Sequence, residues 1–311
     1  MRVIVDNDFA GDPDDLYQLA HHLLSPSVDV RGIVCSHLRR GDPFYDGPDS
    51  ADAARRVVER LAAAMNLDLA SRLHTGANAG LPSRTEPIDS AGARFIVSEA
   101  MREEPWLAPL VVVCGGGLTD LASAYLLEPR IADRVTVIWI GGPEHEGLGA
   151  PPPEIERPEY NLAIDVPAAQ VVLNDSNLTL WLVPRNAYRQ CMVSDAELRS
   201  RVAGKGDLGA FLYQAIQNVR RNVEADGRGF GETYVLGDSP LVLLTALNTP
   251  FQPDPASSEY AERPCPVVND AGDFTEDAGR LVRVYHRIDL RLMFEDMFLK
   301  IHEFTSWLES Q

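Results

Sequence analysis

The sequence predicts an α/β protein: one domain with a mostly parallel central sheet flanked by helices, Rossmann-like. Three observations predict it. Short apolar runs such as 110–114, all apolar, and 135–140, apolar but for Thr136, have the composition of strands buried on both faces. Those runs alternate with segments of helical apolar spacing. The chain of 311 residues, 45% hydrophobic and 24% charged, can bury a core of that size and has the balance of a water-facing globular protein.

The elements follow in order. Residues 3–5 form a short strand, 14–24 a helix closed by Ser25-Pro26, and 28–35 a second strand, which makes a βαβ opening. Helices are expected at 51–65 and 90–103, a strand at 110–114, a helix at 118–127, and strands at 135–140 and 178–183. Residues 144–158, with Gly147, Gly149 and four prolines, read as a surface loop. Residues 189–231 read as a mainly helical cap, 253–277 as irregular because of their Pro and Asp content, 281–288 as a strand, and 290–307 as a closing helix. No repeat or linker divides 1–311, so a single domain is expected.

Composition narrows the function. A formal net charge of -18 repels phosphate backbones and anionic lipid, which argues against nucleic-acid and membrane partners. Only two lysines occur, Lys205 and Lys300, and neither lies in a phosphate-binding P-loop. Cys35, Cys114, Cys191 and Cys265 have no metal-type spacing and are expected as buried free thiols. The start of the chain reads as a strand and not as a signal peptide, and no apolar run has membrane-spanning length. A cytoplasmic location is the expectation.

Four segments carry candidate chemistry. Asp6-Asn7-Asp8-Phe9-Ala10-Gly11-Asp12-Pro13-Asp14-Asp15 places five carboxylates in ten residues at the end of the first strand. Ligands of parallel sheets gather at the carboxyl ends of strands, and a hard cation with oxygen ligands would relieve the repulsion; an acidic loop that only caps a helix is the bland alternative. Cys114-Gly115-Gly116-Gly117-Leu118-Thr119-Asp120 follows another strand and lets backbone approach a ligand. In Glu159-Tyr160-Asn161 an extended chain would point the carboxylate and the amide the same way, which suits a vicinal diol. In Gly237-Asp238-Ser239-Pro240, which precedes an apolar helix at 241–247, Asp238 is either a helix cap or a distant metal ligand.

Together and in this order, these segments resemble the nucleoside hydrolase family, calcium-dependent ribohydrolases that act on inosine and uridine. Asp6-x-Asp8 and Asp14-Asp15 match the ends of the family's opening Asp-x-Asp-Pro-Gly-x-Asp-Asp loop, with a longer middle that holds Asp12. Gly116-Gly117-Leu118-Thr119-Asp120 is similar to its Gly-Pro-Leu-Thr-Asn turn, Glu159-Tyr160-Asn161 to its Glu-Phe-Asn ribose motif, Asp165-Val166-Pro167 to the Asp-Pro step that follows, and Asp238-Ser239-Pro240-Leu241 to its late Asp-Pro-Leu segment. The resemblance spans about residues 3–245.

The resemblance implies N-glycosidic hydrolysis of ribonucleosides to ribose and base. Asp8, Asp15, Asp238 and the Gly115 carbonyl would hold Ca2+. Asp14, Glu159 and Asn161 would bind the ribose hydroxyls, and Asp8 would act as general base on a calcium-bound water. It also implies a homo-oligomer, a dimer or tetramer, and a small uncharged nucleoside as partner. Asp6 would be a supporting residue.

The sequence departs from the family pattern at three places. Gly237 stands where many members have histidine. The family's His-Gly-x-x-Gly-type segment is absent after Gly76-Ala77-Asn78. Ser36-His37-Leu38-Arg39-Arg40 lacks the family's Gly-Asn. His37, His145, Tyr188 and Tyr234 are the substitute candidates for protonating the leaving base, His37 first because it ends a strand. Trp139 and Trp181 read as core. Two other readings compete: a haloacid-dehalogenase-like phosphatase with Asp6 as nucleophile, Asp8 as acid, magnesium and Lys205; and a non-catalytic ribosyl-binding protein.

Overall fold

A computed structural model describes residues 1–104, 107–154, 157–248, 251 and 257–310. Its centre is an eight-stranded sheet. Ten strands are described, eight in this sheet and two, β7 and β8, in a separate pair; in chain order they are β1 (Arg2–Asn7), β2 (Asp29–Cys35), β3 (Leu73–Thr75), β4 (Leu110–Cys114), β5 (Val135–Ile140), β6 (Thr179–Val183), β7 (Met192–Ser194), β8 (Thr233–Val235), β9 (Glu259–Val268) and β10 (Phe274–Arg287). The sheet order is β3-β2-β1-β4-β5-β6-β10-β9, all parallel except β9, which runs antiparallel to β10. The α/β class expected from the apolar runs is the one observed.

The alternation along β1 explains its double burial. Val3 and Val5 enter one core with the helices α1 (Asp14–Leu23), α2 (Ser50–Ala64), Gly206–Ala225 and Leu290–Glu309. Ile4 enters the core on the opposite face, with α3 (Ala91–Ala100) and α4 (Thr119–Leu127). A strand covered on both sides has no polar face, so its middle, Val3–Val5, is apolar throughout.

The order of strands positions the site. From β1 the chain winds outward through β2 to β3, then returns as β4 on the other side of β1. In the two pairings Val5 lies opposite Ile33 of β2 and Val113 of β4. Connections diverge at this point, so a crevice opens beyond the carboxyl ends of β1 and β4. The acidic loop after β1 and the glycine turn after β4 both meet there.

Several expectations need correction. The stretch 253–277 was expected to be irregular; 252–256 lie outside the described residues, but β9 and the start of β10 form a long antiparallel ribbon from residue 259. Pro264 and Pro266 lie in β9, an edge strand, where a missing N–H breaks no second ladder. The turn is closed by Asn269, whose side-chain oxygen accepts from the amides of Ala271 and Asp273. The segment 189–231 is mainly helical as expected, but it also contains β7, which pairs antiparallel with β8. Glu159 and Asn161 are not in an extended segment: Glu159 caps a helix, Tyr160–Ile164, and Asn161 lies in its first turn. The described residues of 144–158 contain no helix or strand. All four cysteines are buried thiols outside any disulfide among the described residues.

Candidate active site

The loop after β1 folds back on itself before entering α1. The Gly11 amide donates to the Asp8 carbonyl over 2.7 Å, and a Cβ on Gly11 would strike Leu38. Asp14 and Asp15 then fall in the first turn of α1, where unpaired amides and the helix dipole favour negative charge. Asp14 Oδ2 accepts from the Asp238 amide at 3.2 Å, which ties the start of α1 to the late segment. Carboxylate oxygens of Asp14, Asp15 and Asp238 come within 4.8 Å of one another. Asp238 does not cap the following helix with its side chain; its Oδ2 accepts from Asn7 Nδ2 at 2.8 Å instead.

Asp8, Asp12, Asp14, Asp15 and Asp238 all line one cavity of about 330 Å³. Burial and the charge of Asp238 hold the Asp8 carboxyl well above the usual carboxylate range. Burial, then Asp238 and Asp8, do the same to Asp15. Burial pushes Asp238 up to about 7. Asp15 Oδ2 is buried without a hydrogen-bond partner among the described residues. Such a set is uncomfortable by itself and has the hard oxygen donors that a divalent cation takes. The cluster could therefore hold a metal.

The glycine turn after β4 packs directly against these carboxylates. A Cβ on Gly115 would lie 2.0 Å from both Asn7 Oδ1 and Asp238 Oδ2, so only glycine fits there. A Cβ on Gly116 would lie 2.5 Å from Asp8 Oδ1. Trp139, expected only as core, also donates from its indole to the Gly116 carbonyl at 3.0 Å and fixes the turn. The Gly115 carbonyl accepts from Asn161 Nδ2 at 2.5 Å.

Glu159 and Asn161 line the same cavity as the carboxylates. Glu159 Oε2 accepts from the amides of Gly142, at 2.8 Å, and Leu162, at 3.1 Å. Its Oε1 accepts from the Tyr188 hydroxyl at 2.8 Å. Burial raises the Glu159 carboxyl and these bonds oppose the rise. Asn161 Nδ2 also donates to the Ile140 carbonyl at 2.7 Å.

The structure thus gathers Asp8, Asp14, Asp15, Gly115, Glu159, Asn161 and Asp238 on one cavity. Asp14, which the resemblance put on the sugar, also belongs to the close carboxylate group. His37 is elsewhere. It is buried and does not line the cavity; its Nδ1 pairs with the Leu38 carbonyl at 2.8 Å and its Nε2 with Thr119 Oγ1 at 2.9 Å. Thr119 passes the contact to Asp165 Oδ2 at 2.7 Å, so His37 braces the two turns behind the site. Asp12 gains a partner that sequence reasoning did not find: the Tyr234 hydroxyl donates to its Oδ1 at 2.8 Å. Phe44, Tyr160 and Arg189 line the cavity and were also missed as site residues. Phe44 lies in a loop, and Tyr160 and Arg189 sit at the ends of helices of only five and four residues, too short to give a periodic signal.

The phosphatase alternative fails on geometry. Asp6, its nucleophile, is fully buried and does not line the cavity, and neither does Lys205. Burial and the nearby Asp120 charge hold the Asp6 carboxyl well above its usual range, which makes it a poor nucleophile.

The same doubly wound fold is found in solved nucleoside hydrolases. A plant nucleoside hydrolase superposes with a TM-score of 0.71 over 97% of this chain and 98% of its own, at 19% identity. The sequence gives the particular family: the model of the inosine-uridine preferring nucleoside hydrolase matches residues 3–291, and the chain belongs to that family. The inosine-uridine preferring nucleoside hydrolase of Leishmania major is 33% identical over 144 residues, 45% of this chain. That of Crithidia fasciculata is 43% identical over 83 residues, 26% of this chain. These aligned stretches span 43% and 24% of the two relatives' own lengths, less than half of either. The family, the fold and the enzyme class of that family are those the sequence motifs implied. No helix among the described residues is long and apolar enough to cross a membrane.

Proposed function

We propose that this chain hydrolyses the N-glycosidic bond of ribonucleosides to ribose and free base. One observation carries the reading: buried carboxylates capable of holding a cation line a single nucleoside-sized cavity together with a carboxylate–amide pair.

Asp8, Asp15, Asp238 and the Gly115 carbonyl would hold Ca2+, whose flexible oxygen sphere tolerates a crowded, irregular donor set better than the strict octahedron of magnesium. When bound, the cation would supply a water of lowered pKa and anchor ribose hydroxyls. Asp8 accepts the proton of the attacking water, a task suited to a carboxylate whose basicity is raised by burial. Asp14 already receives the amides of Asp15 and Asp238 on its two oxygens; their remaining lone pairs can receive a sugar hydroxyl. Glu159 is held rigid by three donors and orients the ribose with Asn161. The ring of carboxylates stabilises the positive charge that develops on the sugar. The same ring disfavours a phosphorylated substrate. A homo-oligomer, dimer or tetramer, and a cytoplasmic location belong to the same proposal, the latter in keeping with four buried cysteines that form no disulfide among the described residues.

The test is reducing-sugar release from a panel of nucleosides, with and without a chelator. We expect release that the chelator abolishes and calcium restores. Binding without release would leave a ribosyl-binding protein, and restoration by magnesium alone would overturn the choice of ion. Asp8→Asn should lose turnover while keeping the fold, as read by circular dichroism.

A further inference from the structure

Cleavage of a nucleoside sends the electron pair of the broken C–N bond to the base, and something must offset the charge that gathers there. The following rests on the ribonucleoside reading above. Position 237 carries no side chain, and His37 points its two nitrogens into the brace behind the site.

The tyrosines around the cavity do not fill the gap. Tyr188 donates to Glu159 at 2.8 Å, Tyr160 to Asp42 at 2.6 Å and Tyr234 to Asp12 at 2.8 Å. Each phenol proton is therefore committed to a carboxylate. Asn161 spends its amide nitrogen on two carbonyls.

One further side-chain donor lines the wall. Arg189 follows the short helix Arg185–Tyr188 and adjoins Tyr188, whose ring packs beside Gly237. The two arginines of this turn are used differently. Arg185 is buried and locked to Glu144 by bonds of 2.7 and 2.6 Å. Arg189 is exposed, and its guanidinium makes no hydrogen bond or ion pair among the described residues. It is the cation on a wall otherwise rich in carboxylates and aromatic rings.

We propose that Arg189 stabilises the departing base by donating hydrogen bonds to an acceptor on it, a carbonyl oxygen or a ring nitrogen. The guanidinium stays protonated throughout, so it lends charge and no proton. The C1′–N bond breaks with its electron pair going to the base nitrogen. The water oxygen bonds to C1′ as Asp8 takes one proton from it. The base anion, paired with Arg189 as it forms, then takes a proton from bulk water, and Asp8 returns its proton to bulk, so the cycle closes with ribose and neutral base.

The experiment compares two leaving groups with the calcium-loaded full chain. Uridine or inosine needs stabilisation of its base; p-nitrophenyl β-D-riboside releases a phenolate that is stable by itself. For Arg189→Ala we expect kcat on the nucleoside to fall roughly 10- to 100-fold, the loss of a charge-assisted hydrogen bond. Release of p-nitrophenolate should stay within about twofold, because that step never needed the bond. Arg189→Lys should recover part of the nucleoside activity by restoring the charge without the fork. Both variants should melt with the wild type, since the side chain is exposed and makes no hydrogen bond or ion pair among the described residues. Equal losses on both substrates, or no loss on either, would overturn the proposal. Wild-type cleavage of the p-nitrophenyl riboside alone would also overturn it, since no base would then be activated. Wild-type cleavage of neither substrate sinks the hydrolase reading itself and the inference with it.

Discussion

Asn7 Nδ2 donates to Asp238 Oδ2 over 2.8 Å, joining the end of β1 to a residue 231 positions later. The bond is the last link of a buried polar chain. Asn7 Nδ2 also donates to Gln18 Oε1 at 3.1 Å; Gln18 donates to His22 Nδ1; and His22 Nε2 meets Thr245 Oγ1 at 2.8 Å. Burial, His21 and Lys300 push His22 down to about 3, so it is neutral and can accept from Gln18 on one nitrogen while donating from the other. The amide of Asn7 is thereby fixed with its nitrogen toward Asp238. Outer partners of this kind orient a ligating carboxylate. Asn7→Ala should weaken calcium binding roughly 10- to 100-fold, as read by calorimetric titration. Unchanged affinity would show that Asp238 is held without Asn7.

Gly115 lies against the same pair of groups. Any side chain there must displace Asn7 or Asp238, because its Cβ would sit 2.0 Å from an oxygen of each. Gly115→Ala should therefore lower calcium affinity at least as much as Asn7→Ala, and lower the melting temperature by several degrees, since overpacking of a tight site costs about 1–3 kcal/mol. Two crystal or NMR observables check the cause: the Asn7–Asp238 bond should be broken, and the β1–β4 pairing intact.

Tyr188 is the third point of support. Its hydroxyl holds Glu159 Oε1, while its ring occupies the space next to Gly237, where a Cβ would already be only 3.3 Å from Tyr188 Cδ2. A residue with a side chain at 237 would press on this ring, which accounts for glycine in the presence of Tyr188. Tyr188→Phe keeps the ring and removes one bond to a carboxylate, worth about 1.5 kcal/mol or more. We expect KM for a nucleoside to rise about tenfold with little change in kcat, because ground state and transition state lose the same sugar contact. A fall in kcat at constant KM would instead place Tyr188 in the bond-breaking step.

How much of this was legible in the sequence depended on the range of the interaction. β4 and β5 were readable to the residue because burial on both faces leaves an apolar run, broken only by Thr136 in β5. β3, β7 and β8, three residues each, carry no period long enough to detect. β9 was hidden by Pro264 and Pro266, which mark a loop unless the strand is known to be an edge. In the site, Asp8, Asp14 and Asp15 share one local pattern, so they were found together. Asn7 stands inside that pattern, yet its role is set by Asp238, a partner no local spacing reveals. His37 was misplaced for the opposite reason: a strand end is near the crevice, but the ring turns toward Thr119 behind it.

The final prediction concerns pH and the cation. In the metal-free protein burial raises the Asp238 carboxyl from its ordinary value of 3.8 to about 7, and Asp8, Asp14 and Asp15 shift in the same direction. A carboxyl whose folded value lies above its unfolded value adds stability while it is protonated in the folded state. That stability is complete below the unfolded value and is lost as pH rises through the folded one. The metal-free protein should therefore lose melting temperature from about pH 4 to about pH 7. Calcium takes the place of the protons, so its binding should strengthen over the same interval. At a calcium concentration of about 100 Kd, binding adds about 2.7 kcal/mol, enough to move the melting temperature by several degrees. Differential scanning calorimetry with and without a chelator should then show a calcium-dependent shift that is small at pH 5 and largest at pH 8. A shift independent of pH would mean that the four carboxylates are already ionised without a cation.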